Sequence, residues 1–186
     1  MRVIAGTARG RRLKSPPARP RSGAVAVRPS SDLMRGAIFS ARASLGVDLS
    51  RVLDIYAGSG ALGIEALSRG ASWCDFVERD AAACTVIREN LRLTGFEDRA
   101  AVHCIHAERA ITRLGDPYSL ILADPPYLDQ GALSVLNQVA SSPLVRPGET
   151  ILVFEHGARS EPAAGLGPMK LLNSRRHGDS AVSIYR

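Results

Sequence analysis

Aromatic residues are scarce in this chain: they form 5% of its 186 residues, and only one of them is Trp. Residues 1–29 contain none, which removes the stacking platform on which single-strand RNA modules lay their bases. Lysine is rarer still. Lys14 and Lys170 stand alone among 24 basic residues, and with the abundant Ala this fits a GC-rich coding sequence, not selection for arginine. The three cysteines, Cys74, Cys84 and Cys104, are odd in number and lack CxxC spacing, so they read as reduced thiols, neither staples nor ligands. Cys104 is expected to be a buried small hydrophobe. His103, His106, His156 and His177 lack the spacing of a zinc site, and no metal is expected. No apolar run approaches the roughly 20 residues that span a bilayer. The start, Met1-Arg2-Val3-Ile4-Ala5-Gly6, has no signal-peptide core. These absences lead to the expectation of a cytoplasmic protein with no membrane partner, and a monomer is expected.

What is present is a globular composition, 45% hydrophobic and 23% charged, at the length of one domain. The net charge of +6 is unevenly spread. Residues 1–42 hold ten Arg/Lys against one acid, Asp32, whereas residues 43–186 hold fourteen against seventeen. A basic segment on a mildly acidic body suggests a polyanionic partner, nucleic acid first. Arg9, Arg11, Arg12, Lys14 and Arg28 are candidate phosphate contacts, giving affinity without sequence readout. A solvated basic tail is the plainer alternative.

Along the chain, Arg2–Ala5 and Ala24–Arg28 look like short strands around a Pro/Arg-rich stretch, Leu13–Arg21, whose prolines exclude a helix. A hairpin or arm over 1–29 is expected. A helix starts near Ser30-Ser31-Asp32, with Leu33, Ala37, Ile38 and Ala41 on its apolar face and Arg35 off it. From residue 51, apolar strands alternate with helices: strands at Arg51–Tyr56, Ser72–Glu78, Ala101–Ile105, Tyr118–Ala123 and Thr150–Phe154, each but the last followed by a helix. That pattern predicts an α/β fold with a parallel sheet covered on both faces. Met169–Asn173 and Ala181–Tyr185 have no helix between them and suggest an antiparallel hairpin at the sheet edge. The expected fold is therefore Rossmann-like and doubly wound over residues 30–186. It has seven strands, mostly parallel, with an antiparallel C-terminal hairpin and a small N-terminal β-hairpin/helix extension.

After the first strand comes Asp54-Ile55-Tyr56-Ala57-Gly58-Ser59-Gly60-Ala61-Leu62-Gly63, which satisfies G-x-G-x-x-G between a strand and a helix. Glu78 ends the second strand, where an acid can bind ribose hydroxyls. Alone, this is ambiguous between NAD and S-adenosylmethionine. Asp54 favours the latter, because a carboxylate beside the loop repels a pyrophosphate and suits an ammonium and a sulfonium.

The fourth strand runs into Asp124-Pro125-Pro126-Tyr127. Ligands of parallel sheets bind beyond the carboxyl ends of strands, so this tetrapeptide and the glycine loop share one rim. The prolines stiffen the turn. The Asp124 carboxylate and Pro125 carbonyl are two acceptors suited to a planar amine with two N–H groups, and the Tyr127 ring suits a stacked base. Such a site can methylate an amine whose lone pair is delocalised, by holding and polarising its N–H bonds. A plain Pro-Pro turn capped by an acid is the alternative.

The loop from Asp54 to Gly63, with Glu78 and the Asp-Pro-Pro-Tyr tetrapeptide, resembles the amino-methyltransferases that use S-adenosylmethionine. These act on adenine N6, cytosine N4, guanine N2 or glutamine N5, so the tetrapeptide implies a reaction and not a substrate. Arg2-Val3-Ile4-Ala5-Gly6, Arg9-Gly10-Arg11-Arg12-Leu13, Arg28-Pro29-Ser30-Ser31-Asp32 and Gly178-Asp179-Ser180 resemble the RsmD family, which methylates N2 of one guanine in small-subunit (16S) ribosomal RNA. The resemblance implies that Asp54, Gly58, Gly60 and Glu78, with Ala57, Ser59 and Arg79 beside them, bind S-adenosylmethionine, and that Asp124, Pro125, Pro126 and Tyr127 position the guanine. Where many relatives carry an Asp or Asn against the adenine, this chain reads His106-Ala107-Glu108, and backbone near Ala107 is the expected substitute. Ser180 stands where Thr is usual. The partner implied is 16S rRNA or the small ribosomal subunit. An adenine-N6 methyltransferase, an NAD-dependent oxidoreductase and an RNA-binding assembly factor are the competing readings.

Overall fold

A computed structural model describes residues 1–17, 35, 46, 48–126, 129 and 131–186. Among the described residues eight strands form one sheet: β1 (Arg51–Ile55), β2 (Trp73–Glu78), β3 (Ala100–Cys104), β4 (Leu120–Ala123), β5 (Ile151–Gly157), β6 (Gly165–Leu166), β7 (Met169–His177) and β8 (Ser180–Tyr185). Their order is β3-β2-β1-β4-β5-β8-β7-β6. The first five are parallel, and β8, β7 and β6 complete the sheet antiparallel. The expected architecture is present with one strand more than the seven expected. The addition is β6, two residues paired with Lys170 and Met169. A two-residue strand is too short to carry a periodic signal.

The central strands are apolar on both faces because helices cover both, as continuous hydrophobic runs require. One core layer contains Val52, Ile64, Phe76, Leu122 and Val153, and the other contains Leu53, Ile55, Ile121, Leu136 and Leu152. Four α-helices lie wholly within the described residues, α1 (Ala61–Ser68), α2 (Ala81–Thr94), α3 (Ala110–Arg113) and α4 (Ala132–Ala140), and Arg35 is also helical. All eight residues of α1 are buried, Glu65 and Ser68 included, in a helix otherwise small and apolar. In α2 the buried residues Ala83, Cys84, Ile87, Asn90 and Leu91 fall on one face, and the Asp80 side chain accepts from Ala82 N–H at 2.9 Å as its N-cap.

The N-terminal residues are fastened to this body. Arg2 bridges Arg12 antiparallel, so the turn closes before the proline-rich stretch. Val3, Ala8 and Leu13 are buried in the core. The Glu65 carboxylate accepts the backbone N–H groups of Ile4 and Ala5 at 2.8 and 3.0 Å and also the Arg69 Nε–H at 2.7 Å. Asn90 exchanges two hydrogen bonds with the Lys14 backbone, at 2.8 and 3.0 Å. Arg35, placed off the apolar face from its sequence position, is fully buried and donates to the Arg2 carbonyl at 3.1 Å. Ala24–Arg28 and the helix start at Ser30–Asp32 lie outside the described residues.

Toward the amino end of the strands, Asp75 gathers donors from β1, β2, β3 and the segment before β4. Its carboxylate accepts from Tyr118 Oη, Trp73 Nε1, Arg51 and His103 Nε2 at 2.8–3.1 Å. Burial alone would raise the Asp75 carboxyl, but these donors, His103 and Tyr118 foremost, hold it below the ordinary value.

Candidate active site

The sheet reverses direction of growth beside β1, with β2 on one side and β4 on the other. That is the topological switch point at which ligands of open α/β sheets bind. Ile55 pairs with Val77 and with Ala123. One position further on, Tyr56 stands between Glu78 and Asp124. Two carboxylates, one ending β2 and one following β4, thus flank the residue that opens the glycine loop. Tyr56 holds a positive φ of 69°, the lone non-glycine residue among those described to do so.

The loop is built by backbone conformation. Gly58 and Gly60 adopt φ of 56° and 77°, the left-handed region that favours glycine. A Cβ placed on Gly58 would meet nothing within 4 Å, so this turn presents bare backbone to open space. Gly63 is required for a different reason: its Cβ would lie 2.4 Å from the Phe76 ring. It allows α1 to approach β2 closely.

The acids around the loop do separate work. Glu78 Oε2 accepts the Gly58 N–H at 2.9 Å, and Oε1 accepts the Asp80 N–H at 2.8 Å. Asp54 lies beneath the loop, 1% exposed, and its Oδ2 accepts the Gly63 N–H at 2.8 Å. Burial pushes its carboxyl well above the ordinary range; the Gly63 hydrogen bond opposes this, and the charges of Asp124 and Glu78 add to it. The three carboxylates therefore share one field, which suits a cationic ligand and disfavours a pyrophosphate. No group of ligating side chains that could hold a metal occurs among the described residues.

The remaining expected residues distribute around the rim. Ala57 is buried and Ser59 half-buried, the latter's carbonyl accepting from Asn90 at 2.9 Å. Arg79 is exposed, and its charge acts on Tyr56. Ala107 is buried at the start of a short 3-10 turn, Ala107–Arg109, beyond β3. Asp124 is half-buried, Pro125 buried and Pro126 exposed. The Pro126 carbonyl accepts the Asp129 N–H at 2.8 Å, closing the turn. Tyr127 and Arg28 lie outside the described residues. Arg9, Arg11, Arg12 and Lys14 are exposed; Arg11 reaches the Leu93 carbonyl at 3.2 Å and Lys14 pairs with Glu89 at 2.9 Å.

Cys104 departs from expectation: it is exposed. Among the described residues β3 is the edge strand of the parallel half, with a neighbour on one side only. Cys84 is buried, and that burial, with Cys104 beside it, pushes its thiol up to about 12. Three further positions have roles that no local motif of the sequence marks. Tyr56 gave no sign of its backbone strain, and Glu65 and Asn90 gave none of clamping the N-terminus. A charge within the otherwise apolar helix Ala61–Ser68 was the available signal for Glu65.

A family model described as "Conserved hypothetical protein 95" matches residues 1–186. The chain belongs to this family, the RsmD family. It is 32% identical over 189 residues to "Putative rRNA methyltransferase YlbH" of Bacillus subtilis (strain 168), covering 100% of this chain and 98% of that one. It is 34% identical over 127 residues to "Ribosomal RNA small subunit methyltransferase D" of Escherichia coli (strain K12), covering 68% of this chain and 60% of that one. A solved structure titled "Putative methyltransferase yhhF from Escherichia coli" superposes with a TM-score of 0.81 at 29% identity, covering 100% of this chain and 96% of that one. The fold of this family member is thus a Rossmann-like methyltransferase fold, and no helix among its described residues is long and apolar enough to cross a membrane.

Proposed function

We propose that the chain transfers a methyl group from S-adenosylmethionine to the exocyclic N2 amine of a guanine in 16S ribosomal RNA, on an assembled or partly assembled small subunit. The observation that carries this reading is the placement of Glu78 and Asp124 on either side of Tyr56, at one rim, over a glycine loop of bare backbone. When bound, S-adenosylmethionine supplies an electrophilic methyl on a sulfonium. Glu78, already holding the loop through Gly58, takes the ribose hydroxyls, and Ala57, Ser59, Arg79 and the backbone at Ala107 complete the cofactor's surroundings. Asp54 acts from beneath, fixing the first turn of α1 and contributing negative charge.

On the other side of Tyr56, Asp124 accepts a hydrogen bond from the amine and favours positive charge as it builds on nitrogen. Pro125 and Pro126 restrict the turn, so the carboxylate and the Pro125 carbonyl are oriented before substrate arrives. Tyr127 offers a face for the base. A guanine within a folded stem leaves its stack to reach this rim. Residues 1–29 serve as the RNA-binding appendage, with Arg9, Arg11, Arg12, Lys14 and Arg28 on phosphates.

The test is Asp124→Ala. Methyl transfer to small-subunit RNA should be lost while S-adenosylhomocysteine affinity stays within about twofold of wild type. Unchanged turnover would show that Asp124 does not hold the amine.

A further inference from the structure

The acidic body is itself divided. Residues 43–156 hold nine Arg/Lys against fifteen acids, whereas residues 157–186 hold five against two. The reversal is concentrated on the C-terminal hairpin, where Arg175, Arg176 and His177 are consecutive and exposed. None of the three side chains makes a hydrogen bond or ion pair with another described residue.

Their position follows from strand register. Gly157 at the end of β5 pairs with Ser180, and Ser180 pairs with His177. The tip of the hairpin therefore lies at the carboxyl rim of the parallel strands, the same rim as Asp124. The Ala158 N–H donates to the Asp179 carbonyl at 2.8 Å and ties the tip to the end of β5. Phe154 pairs with Ala123, so Glu155 follows Phe154 as Asp124 follows Ala123. Glu155 pairs with Val182, and Val182 with Arg175. Asp124, Glu155, Val182 and Arg175 thus form one row across the sheet. Three interstrand steps of about 4.8 Å separate Asp124 from Arg175, roughly 14 Å in all.

Among the described residues no strand lies against the outer edge of this half of β7, because β6 pairs only with Met169 and Lys170. Arg175 and Arg176 are adjacent on the strand and project to opposite faces. They bracket an edge of backbone groups, an arrangement that fits a nucleic-acid backbone following the strand.

We infer that the tip of the β7–β8 hairpin is a second RNA-binding surface, with Arg175 and Arg176 holding phosphates a few nucleotides from the base presented to Asp124. The inference rests on RNA being the substrate. The N-terminal basic segment lies on the α1 and α2 side of the glycine loop, through Glu65, Ser68 and Asn90. The hairpin lies beyond β5. RNA gripped at both places spans the catalytic rim, which orients the strand before the base is turned out.

The experiment compares wild type, R175A/R176A, R175K/R176K and the control R146A as full chains. Arg146 precedes β5, at the opposite end of the sheet. RNA binding is read with labelled 16S rRNA across a salt series, and methyl transfer is read separately. For R175A/R176A the RNA Kd should rise about tenfold. The slope of log affinity against log salt should shrink by roughly 1.4–1.8, two contacts at about 0.7–0.9 each. S-adenosylhomocysteine affinity and kcat at saturating RNA should stay within twofold, and R175K/R176K and R146A should bind RNA like wild type. An unchanged Kd and salt slope in R175A/R176A would overturn the inference and leave these charges as protection of an exposed edge against pairing. If wild type binds RNA but transfers no methyl, while the double variant loses the slope, the hairpin surface stands and the methyltransferase reading falls.

Discussion

The Glu78 carboxylate accepts the Gly58 backbone N–H at 2.9 Å. The residue that meets the cofactor ribose in the proposed reaction therefore also sets the shape of the loop. Substituting it removes two interactions at once. Glu78→Ala should weaken S-adenosylhomocysteine binding by about tenfold to a hundredfold in calorimetry, with Glu78→Gln between it and wild type. An affinity unchanged in Glu78→Ala would separate the loop from the cofactor site.

Gly63 allows α1 to lie against β2, and a methyl group there would meet Phe76 Cε1 at 2.4 Å and Cys74 Sγ at 2.7 Å. Gly63→Ala should cost about 1–3 kcal/mol as overpacking, read as a lower midpoint in urea with an unchanged slope.

Asp75 and Asp54 give pH dependences of opposite sign. The Asp75 carboxyl is held below its unfolded value, so its contribution is complete above about pH 3.9 and is lost as pH falls through the folded value. Asp75→Ala should cost about 1–3 kcal/mol near neutrality, by leaving the Tyr118 hydroxyl and the Trp73 indole N–H without their acceptor while Arg51 keeps Asp116 at 3.2 Å. It should also flatten the acid limb of a stability profile. A variant as stable as wild type would show that water replaces the carboxylate.

Asp54 is raised, by burial first, so the folded chain holds its proton more tightly than the unfolded one. Its share of stability is complete below about pH 3.9 and declines as pH rises through the folded value. A cationic ligand favours the ionised form. S-adenosylmethionine affinity should therefore increase with pH across that range, and calorimetry in buffers of different ionisation enthalpy should show proton release. Asp54→Asn should abolish the release.

β1, β2, β4 and β5 were legible because each is a nearly unbroken apolar run, which a strand buried on both faces requires; β3, half-buried at the edge, was legible from its place between two helices. The glycine loop, Glu78 and the Asp-Pro-Pro tripeptide were legible as local motifs whose positions at strand ends follow from chain order. Contacts between distant residues were not. Nothing in the first fourteen residues announces that Glu65 and Asn90 will receive them, some 60 to 76 positions away. β7 continues past Asn173 to His177 because β8 pairs with it, although Arg175 and Arg176 read as a loop. Asp54 was found by position, but its burial beneath the loop depends on α1 packing over it. Cys104 followed the average behaviour of cysteine until the strand order placed it at an edge.

The most direct test supplies labelled S-adenosylmethionine to the full chain with free 16S rRNA, assembled small subunits, DNA or protein, followed by nucleoside mass spectrometry. Methylation at guanine N2 puts the label in N2-methylguanosine from the small-subunit RNA, in free or assembled form, with none in DNA or protein. Label recovered as N6-methyladenosine would contradict it.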